Sequence, residues 1–520
     1  MGRVAVIGAG MGAMAAAARL AVAGHRVTVY ERTDTYGGAL RRRERDGFAF
    51  DTGPGLLPLP AVYRDLFVKT GKEPLEECVE LVQTDPSARH VFPDGTRVDL
   101  PNASRAGVVA ALEESLGRGA GQRWGDFLVR GREAWDRTRR PLLEEPLWPN
   151  WDVLAGREPY PAVPHRRLLR TRQAATLAQV GAWELGDPRL ARLLESHALA
   201  YGLDPRTAPA SAAVLPYMEH AFGVWYVRGG LRELARAVHE RCVARRVEFR
   251  FGTEVVRVVE KDGRAAGVEL ADGTVEEADQ VVLGVRLGLV ACPHEAPSDG
   301  EVPPRPADGP VPGRLTVLLA LRGGRDADAV HRTVVHSPDR DAEVEALFGR
   351  APAGRRGGVT PTVTVLRPDD PALRPDGNHE SAVLTATVPA GLGPAEAERP
   401  EDRPGDRLGD RSAEQWSEPL AELMLTAAEA AVPGLRERLL WHEVRTPADT
   451  RRETGTEGVP APALAGGGAA LLHPGNATRL PGLHRVGGWS HPGGGLPHAG
   501  MSGALVAGLV VEGPDFRGSQ

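Results

Sequence analysis

Near the start of the chain a short β-branched run, Val4 to Ile7, breaks into Gly8-Ala9-Gly10-Met11-Gly12-Ala13, continues as an alanine-rich stretch to Ala23 and returns to a second β-branched run, Arg26 to Tyr30. Strand, tight turn, helix and strand in that order predict a parallel βαβ unit and confine the chain to α/β architectures. Each small residue has a task. Gly8 permits the turn, Gly10 lets backbone approach a pyrophosphate, Gly12 continues the small-residue run, and Ala13 lets the helix pack closely on the sheet. The helix N-terminus offers unpaired N–H groups and the positive end of a dipole, which together attract anions. Glu31 closes the second run 18 residues after Ala13, where a carboxylate can accept hydrogen bonds from both ribose hydroxyls and disfavours a 2′-phosphate. In a chain with 63 glycines such a pattern also arises by chance. The strand before it, the helix after it and the acid at its end select the dinucleotide reading over a bare structural turn.

Which dinucleotide is bound is read further along. Arg32 and then the pair Gly37-Gly38 follow Glu31, and a second turn cluster, Phe50-Asp51-Thr52-Gly53-Pro54, comes soon after. Dehydrogenases that use NAD do not need this extension. Flavoproteins do, because the ring is threaded between domains while the pyrophosphate stays on the first. Near the far end, Pro481 to Gly488 leads through Trp489-Ser490-His491-Pro492-Gly493-Gly494-Gly495-Leu496-Pro497 into a small-residue helix expected over Met501 to Val510. A strand that ends in glycines and feeds a helix makes a second anion-accepting N-terminus. Gly487, Gly488, Gly494, Gly495, Leu496 and Pro497 are therefore cofactor-binding candidates. A flexible linker fits poorly, because prolines, Trp489 and the apolar helix interrupt the glycines.

These motifs resemble the bacterial phytoene desaturase family, which includes carotenoid desaturases and isomerases and retinol saturases. The resemblance spans nearly the whole chain, adding Val91-Phe92-Pro93-Asp94-Gly95-Thr96, Gly223-Val224-Trp225-Tyr226-Val227-Arg228-Gly229-Gly230, Leu366-Arg367-Pro368 and Thr446-Pro447-Ala448-Asp449. The sequence departs from the usual family pattern at Ala39, where Arg often follows the glycine pair, and at Leu283 to Arg286, where an Asn-Ala-Asp segment is usual. The resemblance implies bound FAD, an apolar carotenoid- or isoprenoid-like substrate and hydride transfer to flavin N5. It also implies that the backbone of Val255 faces the adenine. The implied fold class is α/β. A Rossmann-like FAD-binding domain is assembled from three segments, 1–80, 222–290 and 470–520, beside a mixed β-sheet substrate domain from 81–105 and 291–469 and a helical insertion over 106–221.

The middle of the chain supports that organisation. Leu231 to Val243 has helical spacing; Val247 to Phe251, Val255 to Val259, Ala265 to Leu270 and Gln280 to Val285 read as strands, with a hairpin signal at Lys261-Asp262-Gly263. Amphipathic stretches lie around Trp124 to Trp135 and Leu168 to Tyr201; Arg314 to Leu321, Pro361 to Leu366 and Ser381 to Val388 suggest an antiparallel sheet, and Ala395 to Glu414 a surface loop. Trp148, Trp151 and Trp183 could line a greasy tunnel or touch a membrane, with core packing as the commoner fate of such residues.

No catalytic triad, carboxylate pair or metal-spaced cluster stands out. Trp225 and Tyr226 are candidates for pocket walls beside the ring, and His491 for an acid or base, although a hydrogen bond to its own loop serves His491 better. Arg228 could hold a substrate oxygen or form an ion pair. With 63 basic against 69 acidic residues the net charge is −6, so nucleic acid is not an expected partner. Cys78, Cys242 and Cys292 are scattered, as free thiols in a reducing cytoplasm are. The only long apolar stretch, Val4 to Gly24, is interrupted by Arg19 and is better explained by the phosphate turn than by a membrane anchor. Cytoplasmic location is the expectation, with peripheral membrane contact left open. Alternatives to a desaturase are a flavin-dependent isomerase or saturase, an amine-type oxidase, and a non-redox prenyl-binding escort. No Cys lies in either flavin motif. The flavin is therefore expected to be noncovalent: acid precipitation should release all colour to the supernatant, and a yellow pellet would contradict this.

Overall fold

The computed structural model describes residues 2–164, 171–293, 311–349, 358–389 and 408–518, the side chains of 408–415 excepted. The first strand, β1 (Arg3–Ile7), is buried from Val4 onward and feeds α1 (Met11–Val22), whose alanines pack flat on the sheet. β2 (Arg26–Tyr30) returns parallel to β1 in the expected register, Arg3 beside Arg26 and Ile7 beside Tyr30. Far along the chain come α2 (Leu231–Ala244), β3 (Glu248–Arg250), β4 (Gln280–Leu283), β5 (Leu483–Arg485) and α3 (Leu496–Glu512). The sheet order is β3-β2-β1-β4-β5, and every neighbouring pair is parallel. One parallel sheet is thus built from chain segments more than 200 residues apart, with its buried strands reading as continuous Val/Ile/Leu runs.

Several boundaries differ from expectation. β3 is shorter than Val247 to Phe251, and β4 stops at Leu283, with the next residue, Gly284, still donating its N–H to Ile7 O at 2.8 Å. The terminal helix begins at Leu496 instead of Met501, with Pro497 in its first turn, where a missing N–H costs nothing. The proposed loop from Ala395 to Glu414 lies outside the described residues as far as 407, and from Leu408 the chain is already helical.

Around this sheet stand three other layers. An antiparallel sheet of Val255–Lys261, Arg264–Leu270 and Val275–Glu277 packs Val255, Val258 and Val268 on the face opposite α1, against Ala5, Ile7 and Val281. A seven-stranded, mainly antiparallel sheet runs in the order Leu439–Arg445, Gly313–Arg322, His379–Val388, Val363–Leu366, Arg332–Val335, Ala88–Val91, Arg97–Leu100. Its apolar face buries Leu315, Val317, Leu319 and Leu384 against Leu420, Met424 and Leu425 of the helix Leu408–Ala428. Leu81–Gln83 does not join it, pairing instead with Val224–Val227 and through it with Leu57–Pro58. The helices Arg105–Leu116, Ala120–Arg139, Pro188–Ala200 and Val214–Phe222 share a core of Leu112, Trp124, Phe127, Leu193 and Leu194.

Opposite ends of the chain meet where α1 crosses α3. A Cβ placed at Gly503 would lie 2.7 Å from Gly12 O and from Ala15 Cβ; one at Gly12 would lie 2.8 Å from Ala499 O and 2.9 Å from Gly487 Cα. Only hydrogen fits at either position. Gly503→Val should destabilise the protein by about 2–3 kcal/mol through overpacking against backbone that cannot move aside. Denaturant midpoints check this, and an unchanged midpoint would mean the helices part freely.

Candidate functional site

The turn after β1 is held in place from several directions. Gly8 N–H donates to Tyr30 O at 2.7 Å, tying the turn to the end of β2. Glu31 is 8% exposed; its Oε2 accepts from Ala9 N–H at 2.8 Å, and its Oε1 accepts from Thr33 N–H and Thr33 Oγ1, each at 2.9 Å. A carboxylate oxygen accepts two bonds or more, so a ribose hydroxyl can still be received. Glu31 O accepts from Thr253 N–H at 2.9 Å, which brings the start of the Val255 strand to the same place. Gly37 N–H donates to Ala9 O at 2.8 Å, and a Cβ at Gly38 would lie 3.1 Å from Gly10 Cα. Ala13 faces Gly284, where a Cβ would lie 2.9 Å from Ala13 Cβ. The structure therefore brings together Gly8, Gly10, Gly12, Ala13, Glu31, Gly37, Gly38 and Val255.

The C-terminal motif closes on the same turn. Gly487 N–H donates to Ser502 Oγ at 3.0 Å, Ser502 Oγ donates to His491 O at 2.9 Å, and Asn476 Nδ2 donates to Arg485 O, His491 O and Ser502 Oγ at 2.8–3.1 Å. Asn476 and Ser502, 1% and 0% exposed, thus fasten β5, the glycine loop and α3 to one another. Not every glycine of the motif faces a ligand. A Cβ at Gly494 would lie 1.8 Å from Pro460 O, and one at Gly488 would lie 2.9 Å from Pro460 Cγ, so these two admit the chain's own strap at 460–461. Leu496 O accepts from Tyr63 Oη at 2.9 Å, and Pro497 lies in the first turn of α3, whose N-cap Gly495 has no side-chain cap.

Gly10 and Gly487 differ from these. A Cβ at either would meet nothing within 4 Å, and Gly10 caps α1 without any side-chain hydrogen bond. Backbone with open space before it, an uncapped helix N-terminus and a buried acid beside it fit the pyrophosphate and ribose of FAD. The residues that would hold it are the Gly8–Ala13 turn, Glu31 and Gly487 with the first turn of α3.

Other expected site residues are engaged elsewhere. Tyr226 is buried and its Oη donates to Asp370 Oδ2 at 2.7 Å, while Trp225 on the other face of the strand donates from Nε1 to Phe222 O at 3.2 Å, with Arg64 over its ring. Arg228 pairs with Glu80. Arg32 reaches Arg452 O at 2.7 Å and Arg451 O at 3.4 Å. His491 is fully buried, its Nε2 lies 2.9 Å from Glu145 O, and burial lowers its pKa to about 4, so it is a neutral donor to backbone. Trp148 donates to Glu145 Oε2, and Arg172 lies over Trp183, which is 37% exposed.

Sequence reasoning passed over Gly284, Asn476, Ser502 and Arg41. Arg41 donates to Gly38 O at 3.1 Å and to Thr33 Oγ1 at 3.0 Å, bracing the glycine pair two residues after Ala39. Among the described residues there is no metal-binding cluster and no helix long and apolar enough to cross a membrane. Because Gly10 has ordinary backbone angles, φ −72° and ψ 167°, and room for a methyl group, Gly10→Ala should leave thermal stability of the apoprotein unchanged. It should weaken FAD binding at least ten-fold, about 1.4 kcal/mol, by intruding on the phosphates. Titration of apoprotein with FAD tests this; undiminished affinity would place the phosphates elsewhere.

The family profile described as flavin containing amine oxidoreductase matches residues 14–398. The chain is 28% identical over 516 residues to 4,4′-diapolycopene oxygenase of Methylomonas sp, covering 98% of both chains. It is 30% identical over 519 residues to hydroxyneurosporene desaturase of Rhodobacter capsulatus, covering 97% of this chain and 96% of that one. A solved oxidoreductase from Methanosarcina mazei shares the fold with a TM-score of 0.59 at 18% identity, over 97% of this chain and 99% of its own. Paired helix N-termini around a buried acid, on a fold shared over nearly the full chain, have one reading: the protein is an FAD-dependent oxidoreductase and belongs to the flavin-containing amine oxidoreductases, within them to the bacterial carotenoid desaturase family.

Proposed function

We propose that the protein dehydrogenates a long, apolar, carotenoid-like isoprenoid, with residues 1–80, 222–290 and 470–520 holding FAD, residues 81–105 and 291–469 forming the substrate side, and the helical region 106–221 admitting the chain. The observation that carries this is a cavity of about 20 Å³ between the helical region and the flavin helix. Trp135, Leu142, Val214 and Met218 line it from the helices, Leu464 from the strap after Pro460, and His498 from the first turn of α3. Its lining is mainly apolar, with Thr138, Arg139, Ser211 and His498 as its polar members, and burial of hydrocarbon yields about 0.8 kcal/mol per CH₂. The cavity is no larger than a water molecule, so admission of an isoprenoid would need its walls to move apart.

Dehydrogenation removes a hydride and a proton from adjacent carbons and leaves a new double bond. Bound FAD would supply the two-electron acceptor for the hydride. The chain's own part is to orient the substrate along the cavity, exclude water and keep the α1 and α3 N-termini fixed. The names of the relatives, an oxygenase of diapolycopene and a desaturase of hydroxyneurosporene, support a long polyene substrate over an amine.

Purified holoprotein given an acyclic C40 isoprenoid in phosphatidylcholine liposomes should bleach its flavin anaerobically and yield a product absorbing at longer wavelength, whereas primary amines should not reduce it. Flavin reduction by amines alone would overturn the reading.

A further inference from the structure

In the strand Gly313–Arg322, Leu315, Val317 and Leu319 pack on the helix Leu408–Ala428, so Arg314 points to the opposite face of the sheet, where Leu318 and Ala320 meet Phe48 and Phe50. Arg314 Nη2 donates to Ala200 O at 3.1 Å, at the end of the helix Pro188–Ala200. That carbonyl occupies one N–H of the guanidinium, and a helix C-terminus carries only about half a negative charge. Thr387, opposite Arg314 in the sheet, holds the same helix end by donating from Oγ1 to Leu199 O at 2.7 Å. Among the described residues, burial lowers the pKa of Arg232, Arg314 and Arg325. Arg232 has Glu233 near it and Arg325 has Asp369 and Glu380, and each donates to two backbone oxygens. Arg314 has Tyr201 instead, and no carboxylate pairs with it among the described residues.

Tyr201 follows that helix as its C-cap, and its Oη makes no hydrogen bond among the described residues. Burial raises its pKa, so the phenol keeps its proton and remains a donor. Glu219 and Arg332 also act on Tyr201, but they are paired with each other, Arg332 Nη1 lying 3.1 Å from Glu219 Oε2, and their charges cancel. Arg314 is the surplus positive charge of this group. The group adjoins the apolar cavity: a Cβ at Gly495 would lie 3.6 Å from Tyr201 Oη and 3.3 Å from Nδ1 of His498, which lines that cavity. An interior cation without an anion is costly, and folded proteins pair such groups with protein or ligand.

We propose that Arg314 and Tyr201 form a subsite for a carboxylate at the end of the substrate chain, so that the protein takes an isoprenoid acid in preference to the neutral ester of the same acid. This rests on the isoprenoid reading proposed above. A carboxylate matches the guanidinium fork with two parallel N–H···O bonds, and the phenol supplies a further donor. An ester carries no charge and leaves the cation unanswered, and a site built to pair a substrate group discriminates against the analogue that lacks it. With the acid held at this end, the chain runs into the apolar cavity in one register, which fixes the carbons presented for dehydrogenation.

The test uses holoprotein and two probes in phosphatidylcholine liposomes, an acyclic C40 polyene with one terminal carboxylic acid and the methyl ester of that acid, at a pH where the acid is ionised. The acid-to-ester ratio of kcat/KM should be about ten-fold or more higher in the wild type than in Arg314→Met, through a fall in the acid's value, with flavin content per chain unchanged. Arg314→Lys, which keeps the charge and loses the fork, should retain part of the ratio. Tyr201→Phe, which removes one hydroxyl and disturbs no hydrogen bond of the fold, should lower the ratio about three-fold. The same ratio in the wild type and Arg314→Met overturns this inference and leaves the isoprenoid reading intact. If Arg314→Met fails to fold, an unchanged ratio in Tyr201→Phe overturns it instead. Loss of flavin or a shifted flavin spectrum in Arg314→Met, with the ratio unchanged, assigns the guanidinium to the cofactor and also overturns it. Turnover of neither probe removes the isoprenoid reading and this inference together.

Discussion

Everything at the cofactor site depends on the backbone contact between α1 and α3. Two helix N-termini can converge on one dinucleotide only if the helices cross closely, and side chains at Gly12 or Gly503 would push them apart. The contact is made of hydrogen, carbonyl oxygen and alanine methyl groups, so it gains little from apolar area and much from exact fit. A single methyl group on either side would shift both N-termini at once.

A second layer of constraint is polar. Asn476 and Ser502 gather the carbonyls of Arg485 and His491 and the N–H of Gly487 into one buried network. Such a network rigidifies a loop when its members are satisfied, and it lets a glycine-rich segment hold one conformation despite the entropy of its glycines. The strap at 460–461 completes the arrangement by filling the space that Gly488 and Gly494 leave. Several of the motif's glycines thus serve contact between strands of the same chain, and Gly487 is the one left facing outward.

The local elements were legible in the sequence and the long-range ones less so. β1, α1 and β2 were readable nearly to the residue because β-branched runs, a glycine turn and an alanine helix follow one another without ambiguity. The tight turn Gly8–Ala13 and the position of Glu31 at the end of β2 were readable for the same reason. The start of α3 was misplaced because Leu496-Pro497 resembles a loop, although proline is at home in a first helical turn. Asn476 and Ser502 carry no signal of their own, being ordinary polar residues whose partners are fixed only by the fold. The directions of Trp225 and Tyr226 depended on how Val224–Val227 is sandwiched between Leu57–Pro58 and Leu81–Gln83, since neighbouring residues of a strand point to opposite faces. Nothing local predicts that pairing.

The parallel sheet's order places β1 at its centre and β5, from residues 483–485, at its edge. During synthesis the N-terminal βαβ unit therefore emerges several hundred residues before the helix that covers α1. Until then Gly12 and Ala15 lack the helix that packs on them, and the Gly8–Ala13 turn lacks Gly487 beside it. Loading of the cofactor is consequently a late event in the life of the nascent chain, and a ribosome that stalls short of α3 leaves behind a sticky, flavin-free product suited to chaperones and proteases.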